Sequence, residues 1–173
     1  GSEMCIRDRS VQSEAGREAV KQWLWNHGGN PDYPGGGICN VDVASKMTMG
    51  KIPASLENYK LGVTGKKYVA RWGDTFDHEL TLVGYDDRIE FDLDGNGIAG
   101  EKDKDEVGAW IIANSWGNWA NKGFIYCPYK NAVVTSAGDD YYVPQIYYVR
   151  RNYRPLRTMR IKICLLYTSP SPR

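Results

Sequence analysis

The sequence predicts an α+β chain: an antiparallel β core with one helix at its N-terminal side. Two observations carry this. Five strand-like stretches follow one another at short intervals after residue 66, and a single helical pattern precedes them. No internal repeat interrupts that order.

Residues 14–27 (E-A-G-R-E-A-V-K-Q-W-L-W-N-H) read as the helix, because Ala15, Ala19, Val20, Trp23 and Leu24 recur at helical spacing and Gly28-Gly29 stops them. Residues 28–38 (G-G-N-P-D-Y-P-G-G-G-I) are turn-rich and predict a loop. Residues 46–66 read as irregular, with Pro53 and scattered glycines. Lys67–Trp72 is a short strand. His78–Tyr85 is a stronger one, with Leu80 and Leu82 on one face and Val83 and Tyr85 on the other. Trp110–Asn114 is a continuous apolar strand of the kind buried on both sides, and Gly123–Tyr126 is a further strand. Tyr141–Arg150 is the last, and Pro144 confines that part to an edge or a bulge.

Composition bounds the function. At 173 residues the chain holds one domain with a modest core. Hydrophobic residues make up 42% and charged residues 25%, as in ordinary soluble globular proteins. The formal net charge of +1 supplies no field for nucleic acid or an anionic membrane. No apolar run reaches the length of a membrane span.

The two ends read differently from the rest. Residues 1–10 (with E-M-C-I-R-D-R) and 164–173 (C-L-L-Y-T-S-P-S-P-R) resemble translated sequencing-adapter read-through, and both are set aside as artefact or disordered tails. The expected domain is 11–150. A new alternating pattern begins over 154–163, and residues 151–163 are expected to be the start of a following β segment that is cut off. With the ends set aside, Cys39 and Cys127 remain, and their spacing identifies neither a zinc site nor a disulfide framework.

The chemistry concentrates in D-H-E-L-T-L-V-G-Y-D-D (77–87) and G-A-W-I-I-A-N-S-W-G-N-W-A-N-K-G-F-I-Y (108–126). His-x-x-x-x-Val-Gly-Tyr opens one apolar strand and Asn-Ser-Trp-Gly closes another. Found together and in this order, they resemble the C-terminal half of a papain-like (cathepsin-like) cysteine peptidase. The resemblance covers about 14–150 and is firm over 77–129. It implies an antiparallel β-barrel-like subdomain, normally packed against a helical one with a substrate cleft between them, and hydrolysis of peptide bonds through an acyl-thioester.

It also implies roles. A thiol attacks as thiolate, which free cysteine is only to a few per cent at neutral pH. A histidine beside it forms an ion pair and later protonates the leaving amine. His78 falls on that base, and Asn114 on the residue whose neutral amide oxygen holds the imidazole at one angle. Trp116 falls on the ring that keeps water from their contact, and its place two residues after Asn114 puts both on one strand face.

The departures are specific. Glu79 follows the histidine where many members carry a small residue; it either adds negative charge near the imidazole or points away on the opposite strand face. His78 and Asn114 stand 36 residues apart, and the excess lies in a polar insertion over 86–107. The family expects Gln…Cys-Gly-Ser-Cys-Trp far upstream of the histidine, with the Gln helping to form the oxyanion hole. No such motif precedes His78. Cys39 sits in Gly-Gly-Gly-Ile-Cys-Asn, which points to a buried or paired cysteine, and Cys127 lies after the histidine, out of order.

Within the insertion, F-D-L-D-G-N-G-I-A-G-E-K-D (91–103) spaces Asp92, Asp94 and Asn96 as positions 1, 3 and 5 of a calcium loop. Gly97 stands at 6, the Ile98 carbonyl at 7 and Asp103 at 12. Against that, position 12 is usually Glu, and strands rather than helices flank the loop. The alternative is a solvated Asp/Asn/Gly turn.

The expected function is therefore a fragment of a papain-like endopeptidase acting on protein or peptide substrates, inactive alone because the nucleophile and the oxyanion Gln belong to a missing N-terminal half. No cofactor is expected beyond a structural calcium, and the expected setting is bacterial and extracellular or cell-surface. The alternative is a non-catalytic pseudo-peptidase or a calcium-stabilised β binding module.

Overall fold

The computed structural model describes residues 13–26, 28–29, 35–75 and 77–132, together with the backbone of 134–135, 141–142 and 146–147. The expectations for 1–10, 151–163 and 164–173 lie outside the described residues.

Helix α1 (Glu14–Asn26) buries Gly16, Val20, Lys21, Trp23 and Leu24. The i, i+4, i+7, i+8 spacing of 16, 20, 23 and 24 makes one stripe, which packs on the long strand of the sheet. Ala15, expected on that stripe, is exposed, because the stripe is centred one residue further on. Burial of Val20 and Leu24 contributes about 1.5–3 kcal/mol each. The glycine-rich loop after the helix returns across it. The Gly37 amide donates to the Trp23 carbonyl at 3.0 Å and the Trp23 indole donates to the Ile38 carbonyl at 3.1 Å. A Cβ on Gly37 would run into the Trp23 ring, so this crossing admits no side chain.

The strands are β1 (Cys39–Val43), β2 (Met47–Lys51), β3 (Lys67–Trp72), β4 (His78–Glu90), β5 (Val107–Ala113), β6 (Phe124–Pro128), β7 (Val134–Thr135), β8 (Tyr141–Tyr142) and β9 (Ile146–Tyr147), with helix α2 (Leu56–Lys60) between β2 and β3. Seven form one sheet in the order β2-β3-β6-β5-β4-β1-β9, while β7 and β8 pair separately. Neighbours run antiparallel except β3 and β6, which meet in parallel at Tyr68 and Tyr126. The α+β class and the antiparallel core are as the sequence predicts. The barrel-like closure is not: β2 and β9 stand at opposite edges of an open sheet.

The sequence reading does not include β1, β2, β7, α2 or the short helix Trp119–Lys122. β1 arises where the loop pattern ends, and β2 and α2 fall in the stretch read as irregular. β2 is half-exposed along its length, and its alternation is confined to Met47 and Met49 about Thr48, too short to mark a strand. α2 is only five residues long, capped by the Ser55 hydroxyl accepting from the Asn58 amide at 3.1 Å. The polar insertion also begins later than expected, because β4 continues through Asp86–Glu90 across an irregular register against β5.

Two apolar clusters fill the structure. The larger joins α1 to the sheet through Val20, Trp23, Leu24, Val41, Leu80, Leu82, Trp110 and Ile112. The smaller lies towards the α2 end, around Ile52, Val63, Tyr68, Ile89 and Phe91. Lys21 crosses from α1 to β4, with Nζ 2.6 Å from Asp87 Oδ1 and 4.9 Å from the Tyr129 ring centre. Among the described residues, no helix is long and apolar enough to cross a membrane.

Candidate active site

Register brings His78 and Asn114 together. β4 pairs with β5 so that Thr81 faces Ala113. Extending that antiparallel register by one step sets Asn114 beside Leu80, two residues from His78 and on the same face. The contact follows: His78 Nε2 lies 3.2 Å from Asn114 Oδ1. An amide oxygen only accepts, so Nε2 carries the proton and Nδ1 is the nitrogen left to exchange one.

Both ends of this contact are anchored. Asp77, just before β4, accepts from the Ser45 amide at 2.6 Å and the Ser45 hydroxyl at 2.7 Å, while its own amide donates to the Val43 carbonyl at 3.2 Å. Those Ser45 donors hold the Asp77 carboxyl below the usual range. The entry of β4 is thereby tied to the β1–β2 turn, and His78 starts where β1 ends, opposite Val43. At the other end the Asn114 amide donates to the Gly123 carbonyl at 2.8 Å. Gly123, at φ 91°, closes the turn by donating to the Trp119 carbonyl at 2.7 Å.

Trp116 stacks on His78 with ring centres 4.6 Å apart and planes 23° from parallel. It reaches that position from the bend after β5 and not from a shared strand face, since β5 stops at Ala113. Trp119 meets Trp116 edge-on at 6.0 Å and backs the ring. The outer face of Trp116 stays open, the residue being 49% exposed. Nδ2 of Asn114 is buried with no hydrogen-bond partner among the described residues.

The surroundings are acidic. Asp42, Asp77, His78 and Glu79 line one shallow cavity, so Glu79 sits at the rim of the histidine site. Asp42 stands opposite Glu79 in the β1–β4 register, and partial burial, reinforced by the Glu79 charge, raises its carboxyl above the usual value. Asp77 has no motif around it; its partner Ser45 is 32 residues away, so no sequence signal marks it.

The two described cysteines stand apart from this chemistry. Cys39 faces Leu82 while Val43 faces His78, four residues or about 13 Å along the strand. Cys39 and Cys127 are both free and 1% exposed, and burial pushes each thiol up to about 12. Neither has the exposed, charge-stabilised setting of a thiolate nucleophile.

Of the loop residues, the structure gathers Asp92 and Asp94 with Glu106, one carboxylate oxygen of each lying within 4.8 Å of the others. Asn96 remains in the loop, its amide donating to Asp92 Oδ1 and Asp94 Oδ1 at 3.1 Å each. Ile98 is 58% exposed. Asp103 lies exposed on the 3-10 turn Lys102–Lys104, outside the carboxylate group. The sequence frame ends at 103 and passes over Glu106, which stands just before β5.

A family model described as papain family cysteine protease matches residues 40–142. No curated protein and no solved structure matches the chain.

Proposed function

Since the chain belongs to the papain family of cysteine proteases, we propose that it supplies the histidine–asparagine half of an endopeptidase that hydrolyses peptide bonds. In this reading the nucleophilic cysteine and the oxyanion Gln come from a segment preceding this chain, which faces the His78 side of the sheet. The observation that carries it is the His78 Nε2 to Asn114 Oδ1 contact of 3.2 Å beneath the stacked Trp116 ring.

The chemistry follows from that geometry. With Nε2 engaged by Asn114, Nδ1 takes the thiol proton, leaving a thiolate and an imidazolium. The thiolate attacks the scissile carbonyl carbon. Collapse of the tetrahedral species breaks the C–N bond, and Nδ1–H passes its proton to the leaving amine. Water then attacks the thioester while His78 accepts its proton, releasing the acid and restoring the thiol. Asn114 is a positioning residue: it fixes the ring without adding a charge that would bias its proton. Trp116 and Trp119 cover the contact against water.

The test starts from the reading frame upstream of residue 10. A Gln and a Cys-x-x-Cys-Trp helix start in frame support the proposal. The joined protein should then cleave a fluorogenic peptide, His78→Ala should abolish cleavage, and Asn114→Ala should lower kcat about 10²-fold. An intact frame with another residue at the nucleophile position, or unchanged turnover in His78→Ala, overturns it. The first of those results favours a non-catalytic binding module, consistent with the two buried thiols.

A further inference from the structure

We propose that the β4–β5 connection is a calcium site built on the carboxylates of Asp92, Asp94 and Glu106, with Glu106 and not Asp103 as the closing ligand. This goes beyond the peptidase reading and does not depend on it.

The first observation is the convergence itself: three carboxylates from two ends of one loop offer oxygens within 4.8 Å of one another. Acidic groups converge on many surfaces without a ligand, so the decisive observation is the state of Glu106. It is 0% exposed. Its Oε1 accepts from the Leu93 amide at 2.6 Å and the Asp94 amide at 3.2 Å. Its Oε2 is buried with no hydrogen-bond partner among the described residues. A fully buried carboxylate with one idle oxygen is costly unless a cation meets it.

Charge balance points the same way. Lys104 pairs with part of the acidic loop, its Nζ lying 2.6 Å from Asp94 Oδ2 and 2.9 Å from Glu101 Oε2. Among the described residues no ion pair reaches Asp92 or Glu106. Two carboxylates, one of them buried, thus face the same point with no counter-charge of their own.

The donor set selects the ion. All oxygens and no nitrogen or sulfur suit a hard cation. The loop is held by its own backbone: Asp92 accepts from the amides of Gly95 and Asn96 on Oδ1 and of Gly97 on Oδ2, at 2.8, 3.1 and 2.9 Å. Calcium accepts an irregular set of oxygens, whereas magnesium demands a near-ideal octahedron. Glu106 immediately precedes Val107, the first residue of β5, and Phe91 and Asp92 immediately follow Glu90, the last of β4. A bound ion would therefore staple the end of the hairpin remote from His78, acting on stability and leaving the active-site geometry alone.

The experiment is calcium titration of the purified chain, read by thermal unfolding and by calorimetry. With a Kd of about 10⁻⁴–10⁻³ M, 10 mM calcium should raise Tm by about 3–10 °C. Glu106→Gln, which keeps the shape, should remove the rise, and Asp103→Asn should retain it in full. Asp92→Asn should weaken calcium at least tenfold, and it decides the matter if Glu106→Gln does not fold. Lys104→Met removes a competitor for Asp94 and should tighten calcium severalfold. The proposal is overturned if calcium gives neither heat nor a Tm rise, if Asp103→Asn loses the rise while Glu106→Gln keeps it, or if magnesium gives an equal rise.

Discussion

The thiols of Cys39 and Cys127 offer a measurement on this chain alone that bears directly on its chemistry. Both are 1% exposed, and burial lifts each from an ordinary 9.0 to about 12. At pH 8 an unperturbed thiol of that ordinary value is about a tenth thiolate, whereas one at about 12 is ionised in about one molecule in ten thousand. Alkylation proceeds through thiolate, so this effect alone slows it about 10³-fold, and burial slows it further by requiring the sheet to open. The assay is timed iodoacetamide labelling at pH 8, native and in guanidinium, with each cysteine read separately by peptide mass spectrometry. Labelling of either residue in the native chain within tenfold of its unfolded rate would refute the reasoning and return that thiol as a nucleophile candidate. The same shift fixes a pH trend. As pH rises the unfolded chain releases these protons first, so their contribution to stability is complete below about pH 9 and declines between about pH 9 and about pH 12.

Two further predictions concern the scaffold. Asn58 is 0% exposed and joins α2 to β4, its Nδ2 donating to the carbonyls of Pro53 and Glu90 and its Oδ1 accepting from the Glu90 amide. Asn58→Ala strands those groups and should cost about 2–4 kcal/mol in urea unfolding; a loss below about 1 kcal/mol would sink the argument. Burial pushes the Asp87 carboxyl up, but hydrogen bonds from Lys21 and from the Tyr129 hydroxyl at 2.6 Å outweigh it and hold it below the usual 3.8. Its stabilising effect is therefore present above about pH 4 and is lost as pH falls through the lower folded value. Asp87→Asn should make the fall of Tm between pH 5 and pH 2 shallower, and an unchanged slope would count against the Lys21–Asp87–Tyr129 contact.

The legibility of the sequence divides along physical lines. The strands at Lys67, His78, Trp110 and Gly123 were readable because their side chains alternate or run apolar where the sheet is buried. β2 and α2 were not, because a half-exposed edge strand and a single capped turn leave little pattern. The helix was readable but its face was not fully so: Lys21 is buried only because Asp87 and two tyrosine rings receive it from elsewhere in the chain.

By itself the sequence determined the residue types of the candidate site, their order, and the strands that lead to them, since periodicity and short motifs are local properties. Only the tertiary structure decided which residues meet. The register of β4 on β5 sets the 3.2 Å contact of His78 with Asn114, the bend after β5 turns Trp116 over it, and Asp77 reaches Ser45 across 32 residues. The same holds in the loop, where spacing pointed to Asp103 and folding brought in Glu106. Partners that are distant along the chain are selected by sheet register and burial, and neither quantity is written in any window of the sequence.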